Sequence, residues 1–62
     1  MGSQQKLSIQ CPEGTGEAVK EKQDVPWECS SPYGDFRWHG SVAEIKREIR
    51  RRWPDVTDIE QV

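Results

Sequence analysis

The chain has 62 residues and a formal net charge of −2, and only 32% of its residues are hydrophobic. A chain of this length buries roughly 60% of its unfolded surface, which leaves room for a single thin core. No stretch approaches the roughly 18 apolar residues of a membrane-spanning helix, and the N-terminus lacks the apolar segment of a secretory signal. We therefore expect one small cytoplasmic domain without a membrane span or a deep catalytic cleft.

The charge is distributed unevenly along the chain. Residues 1–36 have a net charge of −3, residues 37–53 a net charge of +4, and residues 54–62 a net charge of −3. A basic segment within an acidic chain influences which partners can bind. Residues 37–53 are therefore the first candidate for a binding surface.

The first regular element is predicted close to the N-terminus, after a flexible stretch over residues 1–5. In residues 6–11 polar and apolar side chains alternate, which is typical of a half-buried strand, and Pro12 ends this pattern. Residues 12–26 are rich in Gly, Lys and Glu and contain few apolar side chains. This composition predicts a long mobile loop.

Residues 27–40 are predicted to form a β-hairpin, because Pro32, Gly34 and Asp35 are typical turn residues. A turn at these positions places Cys29 opposite Trp38. In this register the apolar and polar side chains separate onto two faces, as a half-buried antiparallel sheet requires. The apolar face contains Trp27, Cys29, Phe36 and Trp38, and the polar face contains Glu28, Ser30, Arg37 and His39.

An amphipathic helix is predicted over residues 41–53. Ser41 and Glu44 have the spacing of a capping box, in which each side chain bonds the backbone N–H of the other residue. Pro54 cannot continue the helix. Four apolar side chains lie within an arc of about 80° and are predicted to pack on the sheet. They are Val42, Ile45, Ile49 and Trp53.

The β-branched side chains of residues 54–62 favour a short C-terminal strand or tail that returns to the sheet. The predicted fold is therefore α+β. It combines a small, mostly antiparallel sheet (N-terminal strand, β-hairpin and C-terminal strand) with one amphipathic helix packed on one face. The aromatic side chains are expected to supply much of the core, because each buries a large area.

Cys11 and Cys29 are the only two cysteines. In a chain without a secretory signal, we expect two reduced thiols that pack as small apolar groups. One alternative is a disulfide between them. Another is a zinc site that adds His39 and a carboxylate, but no CxxC pair is present to nucleate it. We therefore expect neither a metal nor a cofactor.

The predicted helix contains several charged pairs at helical spacing. Glu44 is three residues before Arg47, and Glu48 is three and four residues before Arg51 and Arg52. Side chains at these separations are neighbours on a helix surface, so these carboxylates can pair with the following arginines.

Lys46 and Arg50 have no acidic side chain at such a spacing, and with Arg47 they border the packed face of the helix. Cations there can simply be solvated or can complement the helix dipole. The functional interpretation is contact with phosphates or with an acidic partner. The candidate binding residues on the helix are Lys46, Arg47, Arg50 and Arg51.

Three further candidates lie in the hairpin. Tyr33 is predicted at its exposed tip, and Arg37 and His39 on its outer face, where they could form a recognition surface. The simpler interpretation of His39 is a cross-strand pair with Glu28. A Cys29–His39 dyad conflicts with the predicted hairpin, which places the two side chains on opposite faces. With no catalytic motif in the sequence, we expect no enzymatic activity and assign no catalytic residue.

The sequence favours a small non-enzymatic interaction module that binds a protein partner. The partner would contact the outer hairpin face, a sheet edge or the basic side of the helix, and strand addition is a plausible mode. The alternative is nucleic-acid binding, in which basic side chains contact phosphates and Tyr33 stacks on a base. The net charge of −2 and the 11 acidic residues weigh against this alternative.

Overall fold

The computed structural model describes residues 4–62, which form a five-stranded sheet and one helix. In chain order the elements are β1 (Gln5–Cys11), β2 (Gly14–Lys20), β3 (Trp27–Ser31), β4 (Gly34–Trp38), α1 (Val42–Arg52) and β5 (Asp58–Gln61). The sheet order is β4-β3-β2-β1-β5, and all neighbouring strands are antiparallel. The predicted α+β class is confirmed. In residues 4–62, no helix has the length and apolar character needed to cross a membrane.

The N-terminal strand is confirmed and begins one residue earlier than predicted. Gln5 belongs to β1, so it is not part of a flexible terminus. Positions 1–3 of the predicted flexible stretch lie outside the described residues.

The predicted mobile loop over residues 12–26 is wrong in its central part. Gly14–Lys20 is β2, the central strand of the sheet, which pairs with β1 on one side and with β3 on the other. Gly14, Gly16 and Ala18, which lie on the helix side of this strand, are small, and Ala18 is fully buried. Pairing on both sides overrides the low strand propensity of its glycines.

Gly16 occupies a position where a side chain does not fit. A Cβ atom at this residue would lie 2.2 Å from the carbonyl oxygen of Ser30 and 2.9 Å from the Cα of Ser31. Real Cβ atoms do not approach backbone so closely, so any larger residue must push β2 and β3 apart. Gly16 contributes to the loop-like composition of this segment, but the close approach of β2 and β3 requires a glycine at this position.

The predicted hairpin is present, but its register differs by two residues. The turn contains only Pro32 and Tyr33, so Cys29 pairs with Phe36 and not with Trp38. A shift of two residues leaves every side chain on its predicted face, because side chains alternate with a period of two. The predicted apolar face is therefore correct although the predicted pairs are not.

The predicted helix and its N-terminal cap are confirmed. The Ser41 hydroxyl accepts a hydrogen bond from the Glu44 backbone N–H at 3.2 Å, and the Glu44 carboxylate accepts one from the Ser41 N–H at 3.1 Å. The helix ends before Pro54, where the Trp53 N–H donates to the Ile49 carbonyl at 2.8 Å.

One core lies between α1 and the sheet. Trp27 is fully buried, and its indole N–H donates to the Gly40 carbonyl at 3.1 Å, which fixes β3 to the segment that enters the helix. Phe36 and Trp38 are only partly buried at the margin of this core. The buried apolar residues are Leu7, Ile9, Ala18, Trp27, Cys29, Ile45, Ile49, Trp53, Val56 and Ile59.

The predicted C-terminal strand is also confirmed. β5 pairs with β1, placing Ile59 opposite Ile9. The Thr57 backbone N–H and hydroxyl both donate to the Gln10 carbonyl, at 2.9 and 3.1 Å. These bonds guide the chain from the helix back to the sheet, where Val56 and Ile59 close the core.

The substitution Gly16→Ala is expected to lower the free energy of unfolding by about 2 kcal/mol, because the added methyl group collides with β3 backbone. Chemical denaturation monitored by tryptophan fluorescence measures the change. Thr15→Ala, at an exposed position of the same strand, is the control and is expected to have a much smaller effect. Equal effects of the two substitutions would show that residues 14–20 are not packed against β3.

Candidate functional site

The charged side chains are separated between two opposite surfaces. We call the sheet surface that faces away from α1 the open face. Cross-strand partners lie on the same face of a sheet, so the register assigns seven charged residues to it with a net charge of −3. They are Lys6, Glu17, Glu28, Asp35, Arg37, Asp58 and Glu60.

The open face is polar and shallow. Lys6 and Glu17 form an ion pair at 3.6 Å, and Arg37 lies opposite Glu28 in the register of β3 and β4. A depression of about 600 Å³ runs across these residues. It is open to solvent, so this surface is suited to contact another macromolecule rather than to enclose a small ligand.

The helix side of the molecule is basic. Glu48 is buried beneath the end of α1 and accepts from Arg52 at 2.6 Å, and it lies 3.9 Å from Arg51. Both predicted Glu48 pairs are confirmed. The positive charges of these two arginines are therefore partly neutralised. Both pairs could be predicted because the arginines follow Glu48 by three and four residues.

The predicted Glu44–Arg47 pair is absent from residues 4–62. The carboxylate of Glu44 is used by the capping box, where it accepts from the Ser41 N–H. The cap directs this carboxylate towards the N-terminus of the helix, away from Arg47. Arg47 therefore joins the cations that have no acidic partner.

We call Lys46, Arg47 and Arg50 the basic stripe. None of them forms an ion pair within residues 4–62. Arg47 and Arg50 are exposed and Lys46 is half-buried. The stripe belongs to a helix that is capped at its start and packed through Ile45 and Ile49, so its charges are held on a rigid support.

The Arg52 side chain packs against aromatic rings at the margin of the core. Its guanidinium carbon lies 4.4 Å from the centre of the Phe36 ring and 5.6 Å from that of Trp38. A guanidinium above an aromatic face is attracted to it. With Glu48 holding its other side, Arg52 covers the aromatic side chains of β4.

Tyr33 is less exposed than predicted. Its ring packs near Trp53, with 6.4 Å between the ring centres, and its hydroxyl donates a hydrogen bond to the Glu13 carboxylate. This hydrogen bond raises the pKa of Tyr33 above its usual range. The ring and the hydroxyl both have partners within the chain, so Tyr33 is not a free aromatic side chain at the hairpin tip.

The other two hairpin candidates are not brought to the helix. Arg37 is on the open face, and His39 is an exposed residue beyond the end of β4. The predicted His39–Glu28 pair is absent from the described part of the chain, because the hairpin register places Arg37 opposite Glu28. Of the seven candidates, only the four on the helix form one surface: Lys46, Arg47, Arg50 and Arg51.

The two cysteines are free thiols. Their strands lie on either side of β2, where their register partners Gly14 and Ala18 are four residues apart. Strand spacing and rise then separate their Cα atoms by roughly 16 Å, well beyond the reach of about 7 Å of a disulfide. An intramolecular disulfide between them is incompatible with this fold.

Neither thiol is set up as a reactive group. Burial raises the pKa of Cys29 to about 12, although the Arg52 charge opposes this shift. Burial also raises the pKa of Cys11, and the Glu13 carboxylate adds to the effect. Both thiols are therefore protonated at neutral pH. Within residues 4–62, no three His, Cys, Asp or Glu side chains are grouped as metal ligands.

The combined acidic character of the open face was not predicted from the sequence, because Glu17 falls in the segment predicted as a loop. A signal was present. In β2, small residues at Gly14, Gly16 and Ala18 alternate with larger ones at Thr15, Glu17 and Val19, which is the period of a strand.

Comparison of the chain with models of protein families, with curated proteins and with solved structures finds no match.

Replacement of Cys29 tests the burial of its thiol. The folded pKa of about 12 lies above the unfolded value of 9.0, so the folded state retains this proton where the unfolded state loses it. The resulting stabilisation is complete below about pH 9 and declines as the pH rises towards about pH 12. Urea unfolding of the unsubstituted protein and of Cys29→Ala is measured from about pH 8 to pH 11.

The free energy of unfolding is expected to fall more steeply with pH in the unsubstituted protein than in Cys29→Ala. The variant is the control for all other titrating groups, including Tyr33. Parallel pH profiles would contradict the burial of Cys29.

Proposed function

We propose that this chain is a non-enzymatic interaction module that binds an acidic segment of a protein partner through the basic stripe. The observation that supports this proposal is that Lys46, Arg47 and Arg50 form no ion pair within residues 4–62, although the chain has more acids than bases. Five acidic side chains lie on the open face, Glu44 caps the helix, and Glu48 is held by Arg51 and Arg52.

The arrangement of the stripe favours an extended or helical acidic segment. Lys46 and Arg50 are one helical turn apart, so their Cβ atoms are separated by about 6 Å, and Arg47 extends the surface to one side. Carboxylates on a partner could reach all three cations together. Since α1 is held by its cap and by the core, little conformational entropy is lost when the partner binds.

Nucleic-acid binding is the second candidate, because the same exposed cations could contact phosphates. Three features weigh against it. The open face has a net charge of −3, which repels a long polyanion. Arg37 is on that face and not beside the stripe, and the hydroxyl of Tyr33 is bonded to Glu13. A short acidic segment avoids the repulsion that a long nucleic acid would meet.

The test measures the binding of a labelled oligoglutamate peptide and of a DNA duplex at low ionic strength. The double substitution Lys46→Ala/Arg50→Ala is expected to weaken peptide binding about tenfold, since each exposed charge pair contributes up to about 1 kcal/mol. Lys6→Ala/Lys22→Ala removes the same charge outside α1 and is expected to leave peptide binding nearly unchanged.

The outcomes separate the two candidates. Peptide binding that depends on the stripe and exceeds DNA binding at the same ionic strength supports the proposal. Tighter DNA binding that is lost with Lys46 and Arg50 would replace it with nucleic-acid recognition. Equal effects of the two double substitutions, or no peptide binding, would reject the stripe as a binding surface.

A further inference from the structure

We propose that two copies of this chain associate through β4 to form a symmetric dimer with one continuous sheet. Within residues 4–62, β4 is an edge strand that pairs with β3 alone. An edge strand presents backbone N–H and C=O groups that can pair with another strand. Its residues are Gly34, Asp35, Phe36, Arg37 and Trp38.

The turn of the hairpin determines which backbone groups of β4 point outwards. Because the turn has two residues, Ser31 and Gly34 form the hydrogen-bonded pair that closes it. Hydrogen-bonded and non-bonded pairs then alternate along an antiparallel ladder. Phe36 therefore bonds to β3, whereas the N–H and C=O groups of Asp35 and Arg37 are directed away from it.

These two residues are complementary to a second copy of themselves. When β4 pairs antiparallel with a second β4 about a two-fold axis at Phe36, each Asp35 lies opposite the Arg37 of the other copy. The backbone N–H and C=O groups of Asp35 and Arg37 point away from β3. The same register therefore allows these groups to form about four hydrogen bonds between the two copies. It also joins two opposite-charge pairs on the open face. Both side chains are exposed and thus accessible.

The other edge strand, β5, is not complementary in charge to a second copy of itself. β5 has Asp58 and Glu60 on either side of Ile59. The equivalent pairing about Ile59 would place carboxylates opposite carboxylates, which is unfavourable. Charged residues of this kind protect an edge from association. The two edges therefore differ in their sequence chemistry, and only β4 fits itself.

The dimer would place the helices of both copies on the same side of the extended sheet. A two-fold axis normal to the sheet keeps both helices on one side, so the two basic stripes would face the same direction. The two Phe36 rings would lie side by side at the axis. The nearby Arg52 guanidiniums are already held by Glu48 at 2.6 Å, which limits their repulsion.

Molar mass as a function of concentration tests the proposal. In sedimentation equilibrium the apparent mass is expected to rise from 7.2 kDa towards twice that value. Asp35→Arg and Arg37→Asp each place like charges opposite one another, and each is expected to weaken the dimer at least about tenfold. An equimolar mixture of the two variants restores both charge pairs and is expected to regain the dimer mass.

Glu60→Arg, on the opposite edge, is the matched control and is expected to leave the dimer unchanged. Amide hydrogen exchange of the unsubstituted protein measures the pairing of β4 directly, without a substitution. The Asp35 and Arg37 amides are expected to gain protection as the concentration rises, while the Phe36 amide is protected throughout.

Three results would overturn the proposal. The first is a mass that stays at 7.2 kDa at millimolar concentration. The second is a dimer that persists in both single variants. The third is a mixture of the variants that remains monomeric although each variant has the circular dichroism spectrum of the folded protein.

Discussion

The pairing of β2 with strands on both sides is the constraint on which the rest of this structure depends. β1 and β5 lie on one side of it, and β3 and β4 on the other. Two-stranded ribbons are at best marginally stable alone, so neither side would form the observed surface without the central strand. Gly16 and Ala18 fit there because they are small. Gly16 allows close approach of β3, and Ala18 leaves space for the larger core side chains.

This central strand also determines where the charges lie. Its alternation directs Ala18 to the helix and Glu17 to the open face. The carboxylates of several strands thereby form one surface, while α1 presents its cations on the other side of the core. A chain with a net charge of −2 thus has two surfaces of opposite sign. The proposed acidic partner and the proposed dimer use different parts of this arrangement, namely the stripe on α1 and the outer edge of β4.

Local signals made much of the fold predictable. Ser41 and Glu44 marked the helix start, and Ile45 and Ile49 marked its packed face, because capping and helical periodicity act over a few residues. The stripe could also be inferred, although the capping box was needed to show that Arg47 is unpaired. The hairpin faces followed from alternation, which cannot distinguish registers two residues apart.

The predictions from sequence were wrong where contacts between distant segments determine the structure. Gly16 has no strand preference of its own, and only its contact with β3 explains why it is a glycine. Tyr33 was predicted to be exposed because its partner Glu13 belongs to a different turn, 20 residues away. The acidic open face was hidden for the same reason, since it exists only once β2 joins the sheet.

Cross-strand nuclear Overhauser effects at β2 are the decisive test of the central strand. Glu17 is expected to show contacts to Ser8 on one side and to Ser30 on the other, in agreement with the register. Chemical shifts of extended backbone are expected throughout Gly14–Lys20. Random-coil shifts over these residues, with only sequential contacts, would contradict the central strand and remove the basis for two surfaces of opposite charge.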